Sequence, residues 1–182
     1  MQPIIATAKD LIRPAIQEDS IVADCTMGNG RDTLFLSSLV PHGHVYAFDI
    51  QPEALINTEK TLKEHHALSN VTLIQDCHSH IRKYISTELS AVMFNLGWLP
   101  DHDKSITTKT ETTLLAIRNS MELLKRGGRI LIVMYPGHEE GRLEGIEIEK
   151  MLADLDKDLY HTIIYKMVNV PECPYIGLIE KR

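Results

Sequence analysis

Short apolar runs alternate with longer amphipathic segments along the 182 residues of this chain. The runs have the length and composition of strands, and the segments between them repeat apolar residues at helical spacing. Strands that alternate with helices predict a parallel sheet covered by helices on both faces. The predicted strands are residues 21–24, 45–49, 71–74, 91–94, 130–134, 162–168 and 175–180, and the predicted helices are 5–12, 52–65, 110–125, 146–155 and one that begins near Thr33.

The last two predicted strands indicate whether the sheet ends in an antiparallel hairpin or continues with another parallel crossover. The last two predicted strands are joined by the short turn 169–174, which is too short for a crossover, so this pair is expected to be antiparallel. Helix 110–125 is expected to begin with a capping box of Thr108 and Glu111 and to stop at Gly127 and Gly128. A seven-stranded, mostly parallel sheet with an antiparallel C-terminal hairpin is the α/β layout of Rossmann-like class I methyltransferases, whereas a dehydrogenase would continue with another crossover.

A glycine turn links the first strand to the next helix. Gly28 and Gly30 permit a sharp turn and leave no side chain between the loop and a ligand. A dinucleotide fingerprint requires a third glycine where Thr33 stands, and a phosphate loop requires Gly-Lys-Ser/Thr, so neither motif is present. An acidic residue before Gly-x-Gly suits a ligand with a cationic end, such as S-adenosylmethionine. The loop residues assigned to this cofactor are Asp24, Gly28, Asn29, Gly30 and Asp32.

Asp49 ends the second predicted strand, about 20 residues after the glycines, where a ribose-binding acid is expected. A carboxylate can accept hydrogen bonds from both ribose hydroxyl groups. Gln51 follows directly and is assigned to the same cofactor. The alternative is that Asp24 and Asp49 are merely polar residues that end strands.

In open α/β sheets, ligands bind beyond the carboxyl ends of the strands, which makes the polar residues after the third strand site candidates. Asp76 either accepts a hydrogen bond from the exocyclic amine of adenine or caps a helix. Cys77 and His78 are assigned to the same cofactor pocket. The histidines carry no recognised metal-ligand spacing and Cys-x-x-Cys is absent, so no metal is expected.

The fourth and fifth strands supply the candidates for chemistry. Asn95 ends a buried strand, so its side chain is expected to face the crevice, where an amide oxygen could orient an acceptor amine. Trp98 either stacks on a base or packs in the core. His138 either takes the proton of the amine or holds the loop after the fifth strand. The predicted substrate-binding residues are Leu96, Gly97, Trp98 and Tyr135.

The net charge and the number of cysteines indicate which partners and which cellular compartment to expect for this chain. The formal net charge is −6, whereas phosphate binding normally requires a basic surface. Positive residues cluster at Arg82 with Lys83 and at Lys125 with Arg126 and Arg129. These clusters are either solvated helix ends or a local patch that binds RNA. Three widely spaced cysteines predict reduced thiols in the cytoplasm. No apolar run approaches the ~20 residues of a membrane span.

Several of these segments together resemble a known family, the small bacterial methyltransferases long described as putative rRNA methylases. The resemblance covers essentially the whole chain, taken as a single domain, and implies methyl transfer from S-adenosylmethionine. For this family the acceptor is the amine of 5-aminomethyl-(2-thio)uridine at the wobble position, which makes the tRNA anticodon arm the expected partner. The matching segments are Asp24-x-Thr26-x-Gly28-Asn29-Gly30-x-Asp32-Thr33, Phe48-Asp49-Ile50-Gln51, Met93-Phe94-Asn95-Leu96-Gly97-Trp98-Leu99-Pro100, Tyr135-x-Gly137-His138-x-x-Gly141 and the close from Asn169.

Two other functions fit parts of the pattern. One is a methyltransferase of rRNA or of a small-molecule amine, and the other is a silent RNA-binding module that holds S-adenosylmethionine. Acidic charge favours the small molecule, and the resemblance favours RNA. The chain departs from the family at Trp98, where a tyrosine is usual, and at Asp101 and His102, where glycines are usual. A homodimer is expected because one small acidic domain offers little surface for an anticodon arm.

Overall fold

A computed structural model of the chain describes residues 3–99 and 106–182, so Pro100, Asp101 and His102 lie outside the described residues. The strands are β1 Ile21–Asp24, β2 His44–Asp49, β3 Val71–Gln75, β4 Leu89–Asn95, β5 Leu124–Met134, β6 Tyr160–Tyr165 and β7 Tyr175–Lys181. The helices are α1 Ile4–Ile12, α2 Arg31–Leu39, α3 Pro52–Glu64, α4 Thr110–Leu123 and α5 Glu139–Ala153, with 3₁₀ segments at Arg13–Ala15 and His78–Lys83.

The strands form one sheet in the order β3-β2-β1-β4-β5-β7-β6. β1 to β5 run parallel to their neighbours, and β7 is antiparallel to both β5 and β6. This arrangement confirms the predicted seven-stranded, mostly parallel sheet with an antiparallel C-terminal hairpin. Most predicted boundaries lie within a few residues of the observed ones, because long aliphatic runs define the buried strands.

Successive residues of the central strands enter two different cores, one on each face of the sheet. Phe94 and Ile132 pack in the core beneath α4 and α5, together with Ile117. Met93 and Val133 pack on the opposite face with residues of α1 and α2. β4 is apolar almost throughout because side chains on both of its faces are buried.

Two details of the predicted α4 helix are wrong. Its N-cap is Lys109 and makes no side-chain capping bond, while the Thr108 hydroxyl bonds to Glu144 on another helix. The helix also ends before the two glycines, because β5 already begins at Leu124, which pairs with Leu89. Gly127, with φ of +73°, lies within an irregular part of β5 where the register to β4 shifts, rather than at a helix stop.

Each predicted basic cluster contains a residue that forms a local ion pair. The Arg129 guanidinium bonds twice to the Glu180 carboxylate, at 2.7 and 2.6 Å, and donates to the Leu11 carbonyl at 2.6 Å. Arg82 pairs with Glu122 on the surface. Arg129 therefore connects α1 to the sheet through hydrogen bonds. These bonds fix the position of α1, which reaches the opening of the crevice.

The crevice lies where the chain reverses direction across the sheet. β1 lies between β2 and β4. The connection after β1 leads to one side of the sheet and the connection after β4 leads to the other, so the loops at the carboxyl ends of β1 and β4 diverge. Such a switch point leaves a gap between neighbouring loops, and ligands of open α/β sheets bind in it.

Candidate active site

A cavity of about 800 Å³ occupies this switch point. Its wall is formed by the loops after β1 to β5 and by Ile5 and Lys9 of α1. The structure therefore brings together most of the residues predicted from sequence. Those on the wall are Gly28, Asn29, Asp32, Asp49, Gln51, Asp76, Cys77, His78, Asn95, Leu96, Gly97, Trp98, Tyr135 and His138.

Asp24 and Gly30 lie behind the wall rather than on it. Asp24 is buried, and its two oxygens accept hydrogen bonds from the Thr26 amide at 3.1 Å and the Thr33 hydroxyl at 2.7 Å. Burial, with Asp32 nearby, raises the pKa of the Asp24 carboxyl to about 7. The sequence placed Asp24 on the cofactor, whereas the structure places it beneath the loop, where it shapes the turn.

The glycine loop is held against α3. Gly30 has φ of +79°, and a Cβ on it would lie 2.9 Å from the Thr58 Cα atom. The Thr58 hydroxyl donates to the Gly28 carbonyl at 3.0 Å. Gly30 thus permits the loop to approach α3 closely, while Gly28, with φ of +50°, leaves backbone exposed to the cavity.

Asp49 connects the loop to the end of β2. Its oxygens accept hydrogen bonds from the Gly28 amide at 3.1 Å and the Gln51 amide at 3.0 Å. Each carboxylate oxygen has two lone pairs, so both retain capacity for a ligand's hydroxyl groups. Burial raises the pKa of the Asp49 carboxyl, although the two amides partly offset this effect.

Asp76 lies on the wall and also braces the segment after β3. It accepts hydrogen bonds from the His80 ring and the Tyr84 hydroxyl, both at 2.8 Å, and from the Cys77 amide at 2.7 Å. The His80 contact is the main reason that the pKa of Asp76 falls to about 2. Bracing and a ligand contact are thus both compatible with this position.

His78 lies on the wall of the cavity, with its Nε2 atom enclosed by the protein. Its Nδ1 lies 2.9 Å from the Cys25 carbonyl oxygen, so Nδ1 carries the proton and donates. Burial lowers the pKa of His78, which keeps the ring neutral. Nε2 is then a lone-pair acceptor, and it is buried without a partner among the described residues.

A three-residue chain orients the side chain of Asn95. Its Nδ2 donates to the Asp32 carboxylate at 3.1 Å, and the second oxygen of Asp32 pairs with Lys9 at 2.9 Å. The Asn95 backbone amide donates to the Thr26 hydroxyl at 2.7 Å. With Nδ2 fixed, Oδ1 is the remaining acceptor of this side chain, on the wall of the cavity.

Lys9 was missed by sequence reasoning, because its role depends on α1 packing across the sheet. The available signal was its position one turn after Ile5 on an amphipathic helix, which places both side chains on the same face. The ammonium also lies 4.9 Å from the centre of the Phe35 ring, a cation–π distance that helps to fix it.

Trp98 lies on the cavity wall and contacts His138. Their ring centres are 4.6 Å apart. His138 is the N-cap of α5, and its Nδ1 accepts the Gly141 amide at 3.1 Å. Of its two predicted roles, this bond favours holding the loop. Burial raises the pKa of the nearby Tyr135 phenol to about 12, so this group stays protonated.

A buried carboxylate outside the cavity fixes the loop that carries Trp98. Glu144 of α5 accepts hydrogen bonds from the Thr113 hydroxyl at 2.6 Å and the Thr108 hydroxyl at 2.9 Å. The Thr108 oxygen in turn accepts the Gly97 amide at 3.0 Å. Sequence reasoning missed Glu144, since a glutamate inside an amphipathic helix gives no sign of burial.

Within residues 3–99 and 106–182, histidine, cysteine and acidic side chains nowhere form a group of three arranged to bind a metal ion. Over the same residues, every helix is too short or too polar to cross a bilayer.

The chain is similar to methyltransferases in sequence and in structure. It is 35% identical over 178 residues to a chloroplastic tRNA (mnm(5)s(2)U34)-methyltransferase of Arabidopsis thaliana, with 92% of this chain and 65% of that protein aligned. The chain thus spans about two-thirds of the length of this plant relative.

Two solved structures share the whole fold. A putative rRNA methylase of Clostridium thermocellum has a TM-score of 0.97 at 40% identity, with 100% of this chain and 99% of that one covered. A putative methyltransferase of Streptococcus mutans in complex with SAH has a TM-score of 0.92 at 37% identity, with the same coverage. The family model described as "Putative rRNA methylase" matches residues 45–181, and the chain belongs to this family.

Proposed function

We propose that this methyltransferase transfers the methyl group of S-adenosylmethionine to the amine of 5-aminomethyl-(2-thio)uridine at the wobble position of tRNA. The product is the 5-methylaminomethyl nucleoside. The observation that carries the proposal is the fixed amide of Asn95, which presents Oδ1 as a hydrogen-bond acceptor in the cavity. The curated relative that acts on this nucleoside supports the choice of acceptor.

The cofactor side of the cavity fits S-adenosylmethionine. Asp49 has lone pairs for the ribose hydroxyl groups, and the loop at Gly28 exposes backbone without a side chain. Asp76, on the cavity wall, is an acceptor suited to the exocyclic amine of adenine. When bound, this cofactor supplies an electrophilic methyl group on a cationic sulfur.

On the acceptor side, the protein orients and desolvates an amine. The amine nitrogen forms a bond to the methyl carbon while the carbon–sulfur bond breaks, and the electron pair of that bond stays on sulfur. Asn95 Oδ1 accepts one N–H of the neutral amine, which directs the nitrogen lone pair at the methyl group. Placing two reactants in this way can supply ~7–11 kcal/mol of the barrier reduction.

The amine must lose its proton before it reacts. An alkylammonium has a pKa of about 10 in water, by comparison with lysine. A cavity that excludes water lowers this value because burial disfavours the charged form. Lys9 on the same wall is paired with Asp32 at 2.9 Å, which offsets the negative charge of the carboxylate beside Asn95.

The cations at the cavity support an anionic substrate. Arg31 and Lys109 line the cavity and are exposed, and no ion pair engages either of them among the described residues. Two exposed cations beside one opening of a chain of net charge −6 are suited to local contact with phosphates. A homodimer remains part of the proposal, and light scattering tests it independently of the reaction.

Mass spectrometry of nucleosides from a strain that lacks the gene tests the proposal. We expect the 5-methylaminomethyl nucleoside to disappear from tRNA and the aminomethyl nucleoside to accumulate. The family description favours rRNA as the second candidate substrate. Unchanged tRNA together with a methyl group missing from rRNA would reject the tRNA proposal in favour of that candidate.

A further inference from the structure

The two edges of the sheet differ in the side chains that they expose. Over residues 3–99 and 106–182 the edge strands are β3 and β6. The exposed residues of β3 are polar, namely Thr72 and Gln75. Besides a histidine, β6 exposes three apolar side chains, Ile163 at 55%, Ile164 at 38% and Tyr165 at 40%. Natural edge strands are protected from pairing by proline, lysine or acidic residues, and the sequence of β6 contains none of these.

The backbone groups that β6 leaves open can be assigned. The Arg182 amide donates to the Leu159 carbonyl at 2.9 Å, one position beyond the last pair of β6 with β7. In an antiparallel pair, every second residue directs both its N–H and its C=O at the neighbouring strand. The odd-numbered residues of β6 therefore bond to β7. Thr162 and Ile164 direct theirs away from it, to the side where no other strand of the described residues lies.

A second copy of β6 matches this edge in one antiparallel register. With a two-fold axis at Ile163, Thr162 of each copy faces Ile164 of the other, and all their open N–H and C=O groups bond to each other. An axis at Thr162 would place Ile164 opposite Tyr160, whose amide already donates to the Asp156 carbonyl at 2.8 Å. An axis at Ile164 would pair Thr162 with a residue beyond the end of β6. The axis at Ile163 therefore satisfies the edge best.

The same register brings exposed apolar side chains together. The two Ile163 residues would face each other as a non-hydrogen-bonded pair, in which side chains are closest. On the same side of the sheet Tyr165 would face His161, a cross-strand aromatic pair. Stable interfaces bury about 800 Å² of each partner, so residues beyond the strand must contribute as well. Leu159 and Val168, which are 56% and 96% exposed, lie just beyond the two ends of β6 and extend the contact.

We propose that two copies of this chain dimerise through β6, which pairs with β6 of the second copy about a two-fold axis at Ile163. The contact joins the two seven-stranded sheets into one. Because it uses the same strand of both copies, the assembly closes at two chains. This inference deepens the homodimer of the proposed function by naming its interface. A monomer that methylates tRNA would reject the interface alone, and a dimer that does not methylate tRNA would reject the reaction alone.

Sedimentation velocity at several protein concentrations tests the interface. We expect the wild-type protein to approach the mass of a dimer at about 100 μM. Ile163→Lys places two like charges face to face on the axis and should remain a monomer. Thr72→Lys adds the same charge to the opposite edge of the sheet and should dimerise like the wild type. Circular dichroism and calorimetry with S-adenosylmethionine should show that Ile163→Lys folds and binds the cofactor normally.

Cysteine variants test the register. In Ile163→Cys the two Cα atoms would lie about 4.5 Å apart, within the range of a disulfide, so oxidised glutathione should link two chains. Ile164→Cys faces Thr162 of the second copy and should link at least about 10-fold more slowly. A monomeric wild-type protein would mean that something other than a second copy covers this edge, which would overturn the inference. A dimer of Ile163→Lys, or equal linking of the two cysteine variants, would overturn it as well.

Discussion

At the scale of single residues, side chains behind or beside the cavity orient those that face it. Asp32 holds the amide of Asn95 and is itself paired with Lys9. Asp49 holds the Gly28 amide while it lies on the cavity wall. Each reactive or binding oxygen is therefore fixed before a ligand arrives, which lowers the entropic cost of reaching the reactive geometry.

Asn95→Ala and Asp49→Ala should separate turnover from cofactor binding. Loss of the Asn95 oxygen leaves the amine misoriented, so kcat should fall by about 100-fold while cofactor affinity stays within about 2-fold of wild type. Loss of the Asp49 carboxylate should weaken S-adenosylmethionine binding by about 10- to 100-fold. Steady-state kinetics and calorimetry measure the two effects. Near-normal turnover of Asn95→Ala would exclude that residue from the mechanism.

Asp24 should make stability depend on pH. Burial raises the pKa of its carboxyl to about 7 in the folded protein, from an ordinary value of 3.8. Between these values the folded state binds the additional proton, so this group's contribution to stability decreases as pH rises from about 4 to 7. Asp24→Asn keeps similar hydrogen bonds without a charge and should lose this dependence.

The measurement is the free energy of unfolding in urea for both proteins across that range. The variant should gain stability relative to wild type as pH rises to about 7, and the difference should then stay constant. Parallel stability curves for the two proteins would show that Asp24 does not titrate as described.

At the scale of elements, α5 helps to position the loop that carries Trp98, although this loop belongs to a different part of the chain. Glu144 accepts hydroxyl hydrogen bonds from Thr108 and Thr113, but only Thr108 also accepts the Gly97 amide. The two threonines therefore share one carboxylate and differ in their connection to the Trp98 loop. This difference allows stability to be separated from positioning.

Thr108→Val and Thr113→Val form a matched pair. Each removes one hydrogen bond to a buried carboxylate, so each should cost about 1–3 kcal/mol of stability in thermal or chemical unfolding. Thr108→Val also releases the Gly97 amide and should lower kcat/KM for RNA by about 10-fold, while Thr113→Val should change it little. Equal kinetic losses would mean that the bond between Thr108 and Gly97 does not position the loop.

The sequence predicted elements more reliably than their connections. Buried strands such as β5 were recognisable because all side chains in the run 130–134 are aliphatic. The interactions of Lys9 and Glu144 were not, because each depends on a partner from a distant part of the chain. Asp24 and Asp49 both end strands, yet only the three-dimensional direction of each side chain shows which one reaches the cavity.

At the scale of the whole molecule, an acidic chain places two exposed cations at the opening of its cavity, and neither forms an ion pair with residues 3–99 or 106–182. Arg31 and Lys109 lie there, whereas Arg126 is exposed near the amino end of β5, at the opposite edge of the sheet. The net charge of −6 alone is therefore a poor guide to whether the protein binds RNA. The distribution of charge is the relevant property.

Charge reversal tests this distribution. Arg31→Glu and Lys109→Glu should each weaken RNA binding and reduce the slope of log affinity against log salt by about one unit. Arg126→Glu changes the net charge equally and should have little effect. Filter binding of tRNA at several salt concentrations measures both quantities, and equal effects of all three variants would contradict a local RNA contact at the cavity.

The central claim is methyl transfer to a wobble aminomethyl group, and one reaction tests it most directly. Purified protein is incubated with labelled S-adenosylmethionine and tRNA that carries 5-aminomethyl-2-thiouridine, and the digested nucleosides are analysed by mass spectrometry. We predict that this nucleoside alone gains one labelled methyl group, and that Asn95→Ala largely abolishes the gain. Label on another nucleoside, or none despite bound cofactor, would contradict the account.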